Sequence, residues 1–330
     1  MFRFCLIFLF LIVGCTAQPS PIVATEIPTT TALQTATQAA TFTPQPKPTA
    51  TPTEVPTMIP TITPTAYEDG GLNCKESVAL MYHSIVPGSE ITSGFGLTTD
   101  IGSFEKVLEY LVENEYYFPT PEEFASDIKT KVCRHKYAII TIDDSWNDPE
   151  AMGVVQALIN HGGGTGVDGA PKVWFGVITR KIGYYKNGAG DWVDPWEHLV
   201  SLRQKGLVFA VSHSQTHAAE LVDKVNFFGS ANDQVYALIA SEVGPSRKDI
   251  IQLMDSEPLF FIYPGGNVSR AVVDALISNG YSGAFTVSPR GLDGAYAYYL
   301  PRINGGSRCS DSLGDNSSCV IEQIKLLQIN

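Results

Sequence analysis

The stretch Lys136-Tyr137-Ala138-Ile139-Ile140-Thr141-Ile142-Asp143-Asp144-Ser145-Trp146 carries the strongest fold signal in the chain. Its first seven residues form a short apolar run rich in β-branched side chains, which predicts a buried strand. Asp143 and Asp144 follow where that strand ends. Because α/β folds place their chemistry at the carboxyl ends of strands, this pattern predicts a functional site with two adjacent carboxylates.

A second predicted strand, Leu207–Val211, is followed directly by Ser-His-Ser-Gln-Thr-His, which contains His213 and His217. If this segment is helical, histidines four residues apart project to the same side. Together with Asp144 they match a catalytic zinc site, which has three protein ligands and one open position. Asp143 would remain free as a base. Taken alone, the two histidines are also compatible with an exposed pair, and the two aspartates with a helix-capping loop.

The order of predicted elements is typical of an α/β protein. Strands and helices alternate, which favours a mostly parallel sheet, open or closed into a barrel. One helix is predicted to start at an N-cap serine, Ser103, with Glu105 nearby. The predicted strands are Val78–His83, Tyr137–Ile142, Val173–Ile178, Leu207–Val211, Phe260–Tyr263, Gly283–Val287 and Tyr298–Ile303, and the predicted helices are Ser103–Asn114, Pro149–His161, Trp196–Lys205 and Ser269–Ser278.

The beginning of the chain resembles an export signal. Met1-Phe2-Arg3 is followed by an almost wholly apolar run, Phe4–Val13, which is too short to span a membrane. Ile12-Val13-Gly14-Cys15 resembles a bacterial lipobox, so residues 1–15 are predicted to be a lipoprotein signal with Cys15 as the lipidated residue. A plain signal peptide or signal anchor is the alternative.

Residues 16–70 are rich in Thr and Pro and contain few bulky apolar side chains. Such a segment cannot bury a core, so it is predicted to be a disordered tether. The remaining roughly 260 residues, 71–330, suit one large α/β domain better than two small ones. We therefore expect a lipid anchor on the outer face of the cell membrane and an extracellular catalytic domain.

The formal net charge of −12 constrains the binding partners. Binding to nucleic acid or to anionic lipid needs clustered Lys and Arg, and this chain does not show such clusters. Neutral sugars remain compatible with an acidic protein. The expected partners are a polysaccharide substrate and the membrane through the lipid anchor alone, with a monomer as the expected state.

Four cysteines follow the tether: Cys74, Cys133, Cys309 and Cys319. An exported protein can form disulfides, and four cysteines allow three pairings. The favoured pairing joins Cys309 to Cys319 across a polar loop and Cys74 to Cys133, each of which precedes a predicted strand. A cysteine metal site is not expected because the short Cys-x-x-Cys spacing is missing.

A family resemblance rests on four of these segments. Thr141–Trp146 and Ser212–His217 resemble the first two motifs of the polysaccharide deacetylases, the NodB-homology or carbohydrate esterase family 4 domain. Phe261–Gly266 is similar to the third motif. Ala79–Ser84 looks like the opening of the branch related to poly-N-acetylglucosamine deacetylases. The resemblance implies a distorted (β/α) barrel of about seven strands.

The resemblance also implies roles for individual residues. Asp143 would be the catalytic base and His83 the general acid. Asp144, His213 and His217 would hold Zn²⁺ or another divalent transition metal such as Co²⁺ or Ni²⁺. The implied activity is removal of N-acetyl groups from an extracellular or cell-wall polysaccharide that contains N-acetylglucosamine. A glycan O-acetyl esterase acting on a polymer such as acetylxylan, and a glycan-binding module with little activity, are the alternatives.

Three positions depart from the family pattern: Ser145, Ile262 and Gly265, the last standing where members often have an aromatic residue. Ser145 stands where Gly is usual, so the turn must tolerate a Cβ atom there. Ile262 stands where many members have an Arg, which leaves the partner of Asp143 unassigned. Arg302 is the candidate for that role, with a surface ion pair as the alternative. The residues expected to contact substrate are Trp146, Tyr263, Pro264 and Gly265.

Overall fold

The computed structural model describes residues 71–87, 97–183, 185–186, 190–218, 233–306 and 317–328. Strands and helices alternate along most of this part of the chain. The strands are β1 (Val78–Tyr82), β2 (Ser84–Val86), β3 (Thr98–Asp100), β4 (Ala138–Ile142), β5 (Val173–Val177), β6 (Tyr185–Lys186), β7 (Trp192–Val193), β8 (Val208–Ser212), β9 (Phe260–Ile262), β10 (Gly283–Phe285) and β11 (Ile303–Asn304). The helices are α1 (Ile101–Glu113), α2 (Pro121–Thr130), α3 (Val154–Asn160), α4 (Pro195–Gln204), α5 (Asp233–Met254), α6 (Arg270–Ser278) and α7 (Ser317–Gln328), with a 3₁₀ turn at Pro264–Gly266.

Seven of these strands form one sheet in the order β10-β9-β8-β5-β4-β1-β11, and every neighbouring pair is parallel. The pairs β2-β3 and β6-β7 are separate two-stranded ribbons. All residues of β1, β4 and β5 are buried. Such fully buried strands are typical of parallel sheets, in which both faces are covered by other parts of the protein.

The two faces of the sheet contribute to different clusters of the core. One face packs against helices through Leu108, Leu158 and Leu199. The other face forms an aromatic cluster in which the ring centroids of Trp174 and Phe260 lie 4.9 Å apart. Because side chains alternate in direction along a strand, β1, β4, β5 and β8 each supply both clusters.

The segment from Leu300 to Asn304 connects the two edges of the sheet. Leu300 forms a parallel bridge with Phe285 at the β10 edge, and Ile303 pairs with Leu80 at the β1 edge. Arg302 lies between these two contacts and is 1% exposed. The architecture is the distorted (β/α) barrel that the family resemblance implies.

Several element boundaries differ from the predicted ones. Helix α1 begins at Ile101, and its N-cap is Asp100, not Ser103; Asp100 Oδ1 accepts a hydrogen bond of 2.9 Å from the Ser103 N–H. The helix predicted from Pro149 begins only at Val154, after a series of turns. Helix α5 was not predicted, and it contains Pro245, which is a helix-breaking signal in a sequence.

Cys74 and Cys133 form a disulfide that links residues 59 positions apart. Cys319 is also disulfide-bonded, whereas Cys309 lies outside the described residues, so the pairing of these two stays a prediction. The predicted signal with Cys15 and the predicted tether also lie outside the described residues. Among the helices that are described, none is both long enough and apolar enough to cross a membrane.

Candidate active site and metal centre

Three side chains converge at the carboxyl ends of β4 and β8. Asp144 Oδ1 lies 3.2 Å from His213 Nε2 and 3.7 Å from His217 Nε2. One ligand atom from each residue lies within 4.8 Å of the others, and no other group of this kind occurs among the described residues. Two imidazole nitrogens and one carboxylate oxygen form a donor set that suits Zn²⁺ and related transition metals.

The ring of His213 is held in one orientation. Its Nδ1 lies 2.9 Å from the carbonyl oxygen of Ile262, and its backbone N–H donates to Val177 O at 2.8 Å. A carbonyl oxygen can only accept, so Nδ1 donates this hydrogen bond and Nε2 is directed toward Asp144. This is the arrangement that histidine ligands of metals normally have. Ile262 therefore serves the site through its backbone.

His217 reaches the site by a loop rather than by a helix. Ser214 has φ +71° and His217 has φ +53°, both in the left-handed region. The N–H of His217 donates to Ser214 Oγ at 2.9 Å, which closes the turn. The expectation that the two histidines lie on a helix is wrong. The two rings meet through this turn, and their centroids lie 4.8 Å apart.

Asp143 is paired with Arg302 in the interior of the barrel. Arg302 Nη1 lies 2.8 Å from Asp143 Oδ1 and 2.9 Å from Oδ2, and it also donates to Thr141 Oγ1 at 2.8 Å. Arg302 Nε donates to Thr286 O at 3.1 Å. The expected alternative, a surface ion pair, is wrong because Arg302 is buried.

This pairing determines the charge of Asp143. Burial raises the pKa of its carboxyl group, but Arg302 and the neighbouring His213 and His83 outweigh burial and hold the pKa below its usual range. Asp143 is therefore ionised at neutral pH. It is 3% exposed and lines the same cavity as Asp144, which suits a proton acceptor.

A sharp turn sends the two adjacent carboxylates in different directions. Asp144 has φ +79° and Ser145 has φ +50°. Such a conformation costs a non-glycine residue on the order of 1 kcal/mol and must be held by its surroundings. Ser145 Oγ accepts from the Ile178 N–H at 3.1 Å, and Ser145 O accepts from the Gly183 N–H at 3.1 Å. These two hydrogen bonds hold the backbone of the turn, which therefore tolerates the Cβ atom of Ser145.

Electrostatics favour the ionised form of Asp144 as well. Burial raises its pKa, but the hydrogen bond from His213 and the charges of the surrounding histidines lower the pKa to about 2. A carboxylate that stays ionised at all physiological pH values is suited to bind a cation. Asp144 therefore lies in the cluster with His213 and His217, whereas Asp143 lies beside Arg302.

His83 lies directly after β1 and lines a cavity of about 150 Å³. Its Nδ1 is buried and makes no hydrogen bond within the described part of the chain. Burial lowers the pKa of His83, while the charges of Asp143 and Asp144 oppose that change. The cavity is also lined by Ser84, Leu97, Thr98, Asp143, Asp144, Trp146, Asn147 and Phe175.

The residues expected to contact substrate fall into two groups. Trp146 lines the cavity and is 52% exposed, so its indole is accessible from solvent. Tyr263 is instead buried, with its hydroxyl donating to Tyr298 O at 3.1 Å, and Pro264 is also buried. Gly265 is exposed and has φ +62°. The last three are not among the residues that line this cavity.

The barrel is the NodB-type fold of the polysaccharide deacetylases, the class that the sequence motifs predicted. Three solved structures show the likeness. IcaB from Ammonifex degensii matches with a TM-score of 0.53 and 18% identity over 76% of this chain and 99% of its own. The Streptococcus pyogenes deacetylase PplD, solved in complex with acetate, matches with a TM-score of 0.52 and 18% identity over 69% of this chain and 91% of its own.

A polysaccharide deacetylase from Bacillus cereus matches with a TM-score of 0.51 and 19% identity, over 74% of this chain and 68% of its own. Neither a protein-family profile nor a curated protein sequence matches the chain. At these identities the likeness establishes the fold. The activity has to be argued from the residues of this chain.

Proposed function

We propose that this chain is a metal-dependent hydrolase that removes acetyl groups from a polysaccharide. The observation that carries the proposal is the ionised, buried Asp143 beside the cluster of Asp144, His213 and His217. A base and a complete set of metal ligands at one end of a barrel are what a metal-assisted hydrolase requires. The names of the solved structures with this fold support the same class.

The three ligands fit a divalent transition metal, with Zn²⁺, Co²⁺ and Ni²⁺ as candidates. The fit rests on the mixed nitrogen and oxygen donor set and on the hydrogen bond that aims His213 Nε2 at Asp144. A metal ion bound there supplies Lewis-acid activation for hydrolysis. The remaining chemistry belongs to side chains of the protein.

Asp143 accepts the proton of the attacking water, because Arg302 keeps its carboxylate ionised without removing it from the cavity. His83 lines the same cavity and donates a proton to the departing nitrogen. Burial lowers the pKa of His83, and the charges of Asp143 and Asp144 offset part of this decrease. The products are acetate and a free amino sugar.

The proposed substrate is an extracellular or cell-wall polysaccharide that contains N-acetylglucosamine. Its support is the family resemblance of the motifs, the exposed Trp146 at the cavity, on which a sugar ring can stack, and the net charge of −12. We place the enzyme outside the cell, anchored by lipid at Cys15 and held on the tether of residues 16–70, as a monomer that binds no nucleic acid.

The test is acetate release by the purified protein on N-acetylglucosamine oligomers, peptidoglycan and acetylxylan, before and after chelation. We expect release from the first two substrates, loss on chelation and recovery on adding Zn²⁺ or Co²⁺. Release from acetylxylan alone would assign an O-acetyl esterase. Tight glycan binding without any acetate, with metal present, would reject the hydrolase and favour a binding module.

A further inference from the structure

The loop that carries both histidine ligands is fastened to helix α5 by a buried carboxylate. The backbone N–H of Thr216 donates to Glu242 Oε2 at 2.8 Å, and the hydroxyl of Thr216 donates to Glu242 Oε1 at 2.5 Å. Glu242 is 3% exposed. Both oxygens of this carboxylate are thus used by the residue that directly precedes His217.

Two further residues of α5 hold the same loop. Ser246 Oγ lies 2.6 Å from Ser212 Oγ, and Asp249 Oδ2 accepts from Gln215 Nε2 at 2.9 Å. Positions 242, 246 and 249 follow the i, i+4, i+7 spacing of a single helix face. One face of α5 therefore contacts the loop at its beginning, middle and end.

The loop needs such support because of its backbone. Ser214 and His217 both have positive φ, a conformation that is unfavourable for a non-glycine residue and persists only where neighbouring structure enforces it. His213 is fixed independently of α5 through Ile262 O and Val177 O. His217 is 29% exposed at its side chain and has its backbone N–H bonded within the loop itself, to Ser214 Oγ.

We propose that Glu242 is a positioning residue for the metal ligand His217. By fixing the N–H and the hydroxyl of Thr216, it holds the left-handed turn that brings His217 Nε2 toward Asp144. This inference rests on the proposed metal-dependent function, which identifies the bound ion as a divalent transition metal. It adds a residue from a separate helix to the part of the protein that determines metal affinity.

The test measures metal affinity rather than activity. The chelator-treated full-length chain is titrated with Zn²⁺ by calorimetry and with Co²⁺ by visible absorption, for the wild type and for Glu242→Ala, Glu242→Gln and Glu257→Ala. Loss of a group that orients a ligand typically weakens metal binding 10- to 100-fold, so we expect about that loss for Glu242→Ala. Glu257 is an exposed glutamate on the segment after α5, and its replacement should leave affinity unchanged.

Glu242→Gln separates hydrogen bonding from charge. The amide oxygen can accept from the Thr216 N–H, and the amide NH₂ can donate to the Thr216 hydroxyl, so both contacts can survive. We expect affinity within a few-fold of the wild type. If Glu242→Gln binds as weakly as Glu242→Ala, positioning by hydrogen bonds is overturned.

Thr216→Val covers the case in which Glu242→Ala does not fold. This variant removes one of the two hydrogen bonds and keeps the side-chain shape, and we expect a several-fold loss of affinity. Wild-type affinity and an unchanged Co²⁺ spectrum in the folded Glu242→Ala or Thr216→Val protein would overturn the proposal alone. A wild-type chain that binds neither ion would reject the metal-dependent function together with it.

Discussion

Arg302 Nη1 lies 2.8 Å from Asp143 Oδ1 and 2.9 Å from Asp143 Oδ2, and both side chains are almost completely buried. The two residues are 159 positions apart in the chain. Many members of the family that the motifs resemble have an Arg where this chain has Ile262. Here the guanidinium of Arg302 reaches Asp143 from the segment that joins the two edges of the sheet.

Replacing Arg302 should change both stability and pH dependence. Asp143 has a lowered pKa, so the pair stabilises the fold above the ordinary carboxyl pKa of 3.8, and this contribution is lost as the pH falls through the folded-state value. In Arg302→Ala the carboxylate is left buried without its partner, which typically costs about 3–5 kcal/mol. Its pKa should rise, and the acidic limb of the kcat/KM profile should move to higher pH.

The measurements for Arg302→Ala are denaturant unfolding and kcat/KM from pH 4 to pH 8. Arg290→Ala, which replaces an exposed arginine near the same segment, is the matched control and should behave as the wild type. An acidic limb that stays at the wild-type pH in folded Arg302→Ala would show that Arg302 does not set the protonation of Asp143.

Asp143→Asn should abolish most activity while the protein still folds. The amide cannot accept the proton of the attacking water, so we expect kcat to fall by about 10²–10⁴. Metal affinity should be retained, because Asp144, His213 and His217 are unchanged. Acetate release and Zn²⁺ titration on the same preparation check both statements, and full activity of the folded variant would remove Asp143 from the mechanism.

His83→Gln tests the proposed general acid. Its buried Nδ1 and its position beside Asp143 in the cavity lead us to expect a loss of kcat of about 10²-fold or more, with little change in metal affinity. A substrate with a better leaving group should recover part of the loss, since it needs less protonation. His161→Gln lies outside the cavity and serves as the control. Equal losses on good and poor leaving groups would argue against proton donation by His83.

Metal addition should stabilise the chelated protein. At a free ion concentration of 100 times Kd, binding to the native state adds about 2.7 kcal/mol to the free energy of unfolding. His213→Ala removes a ligand and should eliminate this gain, which a thermal-unfolding series with and without Zn²⁺ measures. His135→Ala is the control, because His135 stacks on Tyr117 and is not in the ligand cluster. A gain that persists in His213→Ala would place the ion elsewhere.

The Cys74–Cys133 disulfide should contribute to stability more than to catalysis. A loop closed across 59 positions restricts the unfolded chain by about 4 kcal/mol in the entropy model of cross-links. The double variant Cys74→Ala with Cys133→Ala should therefore unfold at lower denaturant concentration, yet retain wild-type kcat at low temperature. Unchanged stability would mean that the native state gains nothing from this link.

The sequence was sufficient to predict the strands that carry the proposed metal ligands. The apolar runs before Asp143 and before His213 predict β4 and β8, and the carboxyl ends of parallel strands lie at one edge of a sheet. The pattern of each run is local, so it can be recognised without knowing what surrounds it. Helix α5, which carries Glu242, was not predicted because Gly244 and Pro245 interrupt its helical pattern.

Only the tertiary structure decided which groups complete the site. Arg302 and Glu242 carry no local signal of their contacts, because a contact across 159 residues or between a loop and a helix depends on how the barrel closes and how the helix packs. The left-handed backbone of His217 is likewise enforced by its neighbours rather than preferred by its own residue type. Residue patterns therefore predicted the proposed ligands and the proposed base, whereas packing determined the partners that hold these side chains in place.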